Sequence, residues 1–364
     1  MNPRTVSIAP PQFTVSENNP CGLDGLDFVE FVSNEPQKLD ALFKGFGFSK
    51  VMRHESKPVD LYQQGDITFL VNREPKSFAA QFGKLHGPSI AAMGWRAKDA
   101  KKAHDVAVVR GARSRPEGDY LRHGKPLPAI FGIGDSLIYF VDAFEKADSW
   151  TSRGFVALEK PERVAEKGFT ALDHLTNNVE KGTMGQWATF YKQVFGFEEV
   201  RYFDIRGAKT GLTSYALRSP CGRFCIPINE ADEKKSQINE YLEEYKGPGI
   251  QHLAFITHDI LGSLKMLEGS PIEMLDMDDA YYAEAFQRVP QVTEDRAEIR
   301  KRNVLLDGDE KGYLLQIFTK NLIGPIFIEI IQRKNHASFG EGNFGALFRS
   351  IERDQEKRGV FKTP

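Results

Sequence analysis

Three side chains of this sequence have the chemistry to share one divalent metal: His174 in FTALDHLTNNV, His252 in GPGIQHLAFIT and Glu329 in LIGPIFIEIIQR. The glutamate is the least expected of them. Side chains alternate faces along a strand, so Glu329 shares its face with Phe327 and Ile331. An unpaired carboxylate there is costly enough to call for a cation, a metal or a proton. Two neutral imidazoles and one carboxylate leave coordination positions open, the usual ligand set of non-heme Fe(II) oxygenases. A single histidine on a strand is more often a satisfied core residue; the coincidence of all three is what points to metal.

That coincidence emerges from an internal repeat. GLDFVEFVSNEPQKLDALFKGFGFSKV and ALDHLTNNVEKGTMGQWATFYKQVFGFEEV share a plan of strand, helix and turn into a strand, down to Phe46-Gly47-Phe48 against Phe195-Gly196-Phe197. GPSIAAMGWRAKD pairs with GPGIQHLAFITHD, and GDSLIYFVD with GPIFIEIIQ. At the matched strand positions the first copy has Phe28, Ala92 and Tyr139 where the second has His174, His252 and Glu329. The other histidines, His54, His86, His104, His123, His258 and His336, follow no such pattern and read as surface or structural. The expected architecture is α+β, with residues 1–150 as a structural half without ligands and residues 151–364 as the half that holds the site. The junction is expected in the polar stretch Lys146–Lys167. GNFGALFRSIERDQEKRG closes the chain as a helix whose apolar stripe, Phe344, Leu347, Phe348 and Ile351, is suited to a lid or wall.

Composition narrows the classes. Lys plus Arg (48) nearly cancels Asp plus Glu (50) over 364 residues, which argues against nucleic acid or an anionic membrane as partner. The N-terminal stretch shows no apolar signal region and no run of about 18 apolar residues occurs, so a cytoplasmic protein is expected. Cys21, Cys221 and Cys225 make no disulfide framework, and Cys221 and Cys225 fit a hairpin better than a metal pair, with Cys225 as a small core residue.

The segments ALDHLTNNV, YFDIRGAKTGLTSYAL, IPINE, GPGIQHLAF, LLQIFT, GPIFIEIIQRK and FGEGNFGALFRSIERDQ resemble 4-hydroxyphenylpyruvate dioxygenase of the bacterial type, over essentially the whole chain. The resemblance implies the vicinal oxygen chelate superfamily: two tandem domains of paired βαβββ modules, the second an open barrel-like sheet around the metal. It implies His174, His252 and Glu329 as ligands of one Fe(II) per subunit, with Ser214, Pro227, Asn229, Gln237, Gln251, Gln316, Phe318, Phe339 and Phe344 at the substrate 4-hydroxyphenylpyruvate. A hairpin turning at Pro220-Cys221-Gly222-Arg223 puts Ser214 opposite Asn229, and Gln316 shares a strand face with Phe318. Gln237 taken alone would read as a solvated helix position. Gln251 adjoins His252, so a regular strand would turn it away from the metal; an irregular strand or an outer position is required. Ser338 stands where relatives often have glycine.

The implied reaction consumes O2 and gives homogentisate and CO2, the step of tyrosine and phenylalanine breakdown that in some bacteria feeds a brown pigment. Bacterial relatives are often tetramers, so the resemblance implies a homo-oligomer, a tetramer by analogy. 4-Hydroxymandelate synthase shares fold, metal and substrate but oxidises the benzylic carbon; Pro227 and Phe344 favour the dioxygenase. An extradiol catechol dioxygenase would lack the amide-bearing pocket set and the FGEGNF tail. A non-catalytic binding protein on the same modules would hold no iron and would keep its ligand after His174→Ala.

Overall fold

The computed structural model describes residues 17–116, 118–206, 211–231 and 236–358; the N-terminal stretch before residue 17 lies outside the described residues. Two mixed sheets carry the fold. The first runs, in spatial order, through Phe155–Glu162, Ser49–His54, Val59–Gln64, Ile67–Asn72, Leu23–Val32, Ser89–Ala97, Leu137–Val141, Ala129–Phe131 and Ser114–Arg115. The second runs through Glu198–Arg206, Gly211–Arg218, Cys225–Ala231, Phe169–Val179, Gly249–Thr257, Phe327–Lys334, Gly312–Phe318 and Leu305–Asp309, and bends into a half-barrel. In the second sheet Phe169–Val179 pairs parallel with Cys225–Ala231, and Gly249–Thr257 parallel with Phe327–Lys334. Each half is thus two βαβββ modules. The chain passes from one sheet to the other between Glu162 and Phe169.

The matched positions of the repeat coincide in register. Phe28 lies opposite Gly94, and Gly94 beside Tyr139; His174 lies opposite Ala254, and Ala254 beside Glu329. Ala92 and His252 correspond in the same way, facing Glu30 and Thr176. In the first half the space inside the sheet is filled by rings, with Phe28, Tyr120 and Tyr139 centroids 5.6–5.9 Å apart. In the second half the corresponding space is a cavity.

Helices cover the opposite faces. Met184–Phe195 buries Met184, Ala188, Tyr191 and Val194 at helical spacing and stops at Gly196, whose φ is +81°. A Cβ there would stand 2.3 Å from the Asn18 carbonyl oxygen, so glycine serves both the left-handed cap and the close approach. The Cys221 hairpin forms as expected, with Ser214 directly opposite Asn229. Of its two cysteines it is Cys221 that is fully buried; Cys225, expected in the core, is only half-buried at the start of its strand. All three thiols are free. Among the described residues no helix is long and apolar enough to cross a membrane.

Candidate metal centre

Three neighbouring strands deliver the ligand set. His174 comes from Phe169–Val179, His252 from Gly249–Thr257 and Glu329 from Phe327–Lys334, each buried. His174 Nε2 is 3.3 Å from His252 Nε2 and 3.1 Å from Glu329 Oε2, and His252 Nε2 is 3.4 Å from the same oxygen. Three donors at right angles around one divalent ion, each about 2.1 Å from it, stand about 3 Å from one another. The side chains therefore fit a metal on one face of a coordination sphere. Among the described residues this is the group of His, Cys, Asp and Glu so gathered.

The electrostatics also call for a cation. Burial opposes a charge on His174, yet the Glu329 and Asp173 carboxylates outweigh it and raise this imidazole to about 9. Burial pushes His252 down, with His174 adding to the effect and Glu329 opposing it. Burial favours the neutral form of Glu329, but the His174 charge and hydrogen bonds from both imidazoles keep it below the usual carboxylate range. Positive charge is thus drawn to this spot, and a divalent metal would supply it in place of the proton.

The triad opens on a cavity lined by aromatic rings and a few hydrogen-bonding side chains, the make-up of a small-molecule site. Ser214, Pro227, Asn229, Gln237, Gln251, Phe318, Phe339 and Phe344 all line it. Gln251 does so because the strand is irregular. Thr176 faces His252, but Asn177 faces Ile250, leaving Gln251 as an unmatched bulge residue whose Oε1 is 3.1 Å from His252 Nδ1. A bulge is the device that re-aims a side chain beside a site.

Gln316 does not line the cavity. It is fully buried, its amide has no hydrogen-bond partner among the described residues, and it lies directly under Gly340, where a Cβ would come within 2.5 Å of its Oε1. Thr176, Phe203, Leu212, Phe327 and the inner stripe Leu347, Phe348 and Ile351 complete the wall. Thr176 and Phe327 could have been found, since each is two residues from a ligand on the same strand face. Phe203 carried no such signal: it reaches the wall by pairing across the sheet with Ser214, and its ring is 5.2 Å from that of Phe344. Phe339 stands edge-on to His174 at 5.5 Å.

Residues 17–155 match the family model "Hydroxyphenylpyruvate dioxygenase, HPPD, N-terminal", and residues 171–284 match the "Glyoxalase/Bleomycin resistance protein/Dioxygenase superfamily". Protein MelA of Shewanella colwelliana is 57% identical over 95% of this chain and 99% of its own. A 4-hydroxyphenylpyruvate dioxygenase of Legionella pneumophila is 44% identical over 96% of this chain and 99% of its own. A mutant of 4-hydroxymandelate synthase from Streptomyces coelicolor superposes with a TM-score of 0.77 at 27% identity, covering 92% of this chain and 99% of that one.

Proposed function

Because the chain belongs to the 4-hydroxyphenylpyruvate dioxygenase family, we propose that it converts 4-hydroxyphenylpyruvate and O2 to homogentisate and CO2 at an Fe(II) held by His174, His252 and Glu329. The observation that carries this is the convergence of the three donors, 3.1–3.4 Å apart, at the floor of a cavity walled by rings and amides. Bound there, iron supplies a chelation point for the 2-oxo acid and the redox chemistry that activates O2. The protein's part is positional. Phe318, Phe339 and Phe344 present flat apolar walls to an aromatic ring, and Ser214, Asn229, Gln237 and Gln251 supply hydrogen-bonding groups for its polar ends. Gln316 acts from beneath, by supporting the tail that carries Phe339 and Phe344. Seating that tail keeps water from the reacting groups and holds the ring close to the oxidant. Both atoms of O2 are retained in the products, and no second oxo acid is consumed, since the substrate carries its own.

A second outcome on the same site is 4-hydroxymandelate, and the structural likeness to the synthase makes it the alternative to test. Pro227 and Phe344, which favour the dioxygenase, both face the cavity. The same family reading carries the expectation of a cytoplasmic homotetramer acting in tyrosine and phenylalanine breakdown. The decisive experiment loads the protein with Fe(II) anaerobically, adds 4-hydroxyphenylpyruvate and O2, and separates the products. Homogentisate is expected, and Glu329→Ala should lose iron and turnover together. Mandelate as the main product, or a Glu329→Ala protein with normal iron and activity, would overturn the assignment.

A further inference from the structure

Asp173 immediately precedes His174 and is itself a bulge residue: Leu172 faces Phe255 and His174 faces Ala254, leaving Asp173 unmatched. Its Oδ2 is 2.8 Å from His174 Nδ1, the ring nitrogen away from the metal side. Arg333, four residues past Glu329 on the same strand, grips Asp173 with two nitrogens. Nε reaches one oxygen and Nη2 the other, both at 2.8 Å. Its remaining nitrogen, Nη1, donates to the backbone carbonyls of His336 and Ser338. The guanidinium also stands 5.7 Å from the centre of the Phe339 ring, and that ring packs on His174. One side chain thus connects the support of a ligand to the segment that covers the cavity.

We propose that Arg333 is a positioning residue that orients His174 through Asp173 and at the same time seats Ser338 and Phe339, so that metal retention and closure of the tail are coupled. A carboxylate on the far nitrogen of a ligating imidazole fixes its tautomer and ring plane, and a bidentate arginine fixes the carboxylate. The fold contains its own control. Asp27 is the corresponding bulge residue of the first half, between Leu26 facing Trp95 and Phe28 facing Gly94. It pairs with the buried Arg153, but its neighbour is Phe28 and no ligand depends on it. An Asp–Arg pair at this bulge can therefore serve the sheet alone. What sets Asp173 apart is the imidazole on its oxygen and the tail on its arginine.

The proposal rests on His174 being a metal ligand, so the test reads metal binding separately from turnover. Full-length wild type, Asp173→Asn, Arg333→Lys and Asp27→Asn are compared by anaerobic Fe(II) competition with a colorimetric chelator. Backbone amide exchange at residues 336–340 is followed with and without Fe(II). Asp173→Asn and Arg333→Lys should each weaken Fe(II) binding roughly 10- to 100-fold and speed exchange in the tail. Asp27→Asn should lower thermal stability and leave both readouts unchanged. The wild-type arm needs no variant: Fe(II) must slow exchange at 336–340. Unchanged iron affinity in folded Arg333→Lys, equal iron loss in Asp27→Asn, or a tail indifferent to Fe(II) in the wild type would each overturn the coupling. A wild type that binds no Fe(II) would instead overturn the ligand assignment, and the coupling with it.

Discussion

Glu30 shows how much a single buried carboxylate reveals about its half of the molecule. By register it corresponds to Thr176, beside the metal site of the other half, and it is fully buried with Tyr120 Oη and Asn72 Nδ2 donating to Oε1. Its other oxygen has no partner among the described residues. Burial, reinforced by Asp119, pushes this carboxyl up to about 7 from an ordinary 4.5. The folded state therefore holds a proton that the unfolded chain gives up earlier. That contribution to stability is present below about pH 4.5, declines as pH rises to about 7 and is flat beyond. Glu30→Gln keeps the acceptor and has no proton to lose, so its stability relative to wild type should rise across this window, by about 3 kcal/mol at pH 8. Urea unfolding at pH 5 and pH 8 measures it, and a pH-independent difference would show that Glu30 titrates normally. Glu30 shares a strand face with Phe28 and Val32 much as Glu329 does with Phe327 and Ile331, but FVEFV alone does not tell whether that face is sealed, and no metal-capable side chain stands at the matched positions to single it out. His174, His252 and Glu329 were legible for the opposite reason: they are polar replacements in a scaffold whose other copy shows the apolar residues it tolerates.

At the scale of elements, the approach to the C-terminal helix is the sensitive part. The helix Phe344–Arg358 is moored on its outer side, where Ser350 Oγ donates to the Asp276 carbonyl at 2.6 Å and Arg353 pairs with Asp278 at 2.6 Å. Its inner side gives Leu347, Phe348 and Ile351 to the cavity. The apolar stripe was readable from spacing alone, as was the hairpin that pairs Ser214 with Asn229. The crossing of Gly340 over Gln316 was not, since strand alternation assigns a face but cannot say that the tail lies across it. Gly340 makes that crossing possible with φ at +79° and no side chain above the Gln316 amide. Gly340→Ala combines a left-handed alanine, costing about 1–2 kcal/mol, with a clash into a buried side chain. Closure of the tail should weaken correspondingly, and KM for the keto acid should rise roughly 5- to 30-fold. Steady-state kinetics on the iron-loaded variant decide it: an unchanged KM would mean that the tail does not close over the substrate.

The whole molecule is held by an exchange of aromatic turns between its halves. Phe46 and Phe48, from the FGF turn of the first half, pack at 5.5 and 5.7 Å on Phe255 of the second, and Phe69 adds a contact at 5.9 Å. In return Phe195 and Phe197, from the other FGF turn, pack at 5.0 and 5.8 Å on Trp95 of the first. The repeat made both turns visible in the sequence, yet two similar halves can stack in many ways, and nothing local says that each turn serves its neighbour's sheet. Phe255 belongs to the strand that carries His252, three residues away, so the interface between halves and a strand of the candidate metal centre are one element. Removing its ring should leave a cavity that both halves feel. Phe255→Ala is expected to cost about 3–5 kcal/mol, to keep a single unfolding transition, and to lower amide-exchange protection in Ile67–Asn72 as well as in Gly249–Thr257. Exchange measured strand by strand tests this, because halves that stood independently would lose protection only around residue 255 and leave the first sheet as it was.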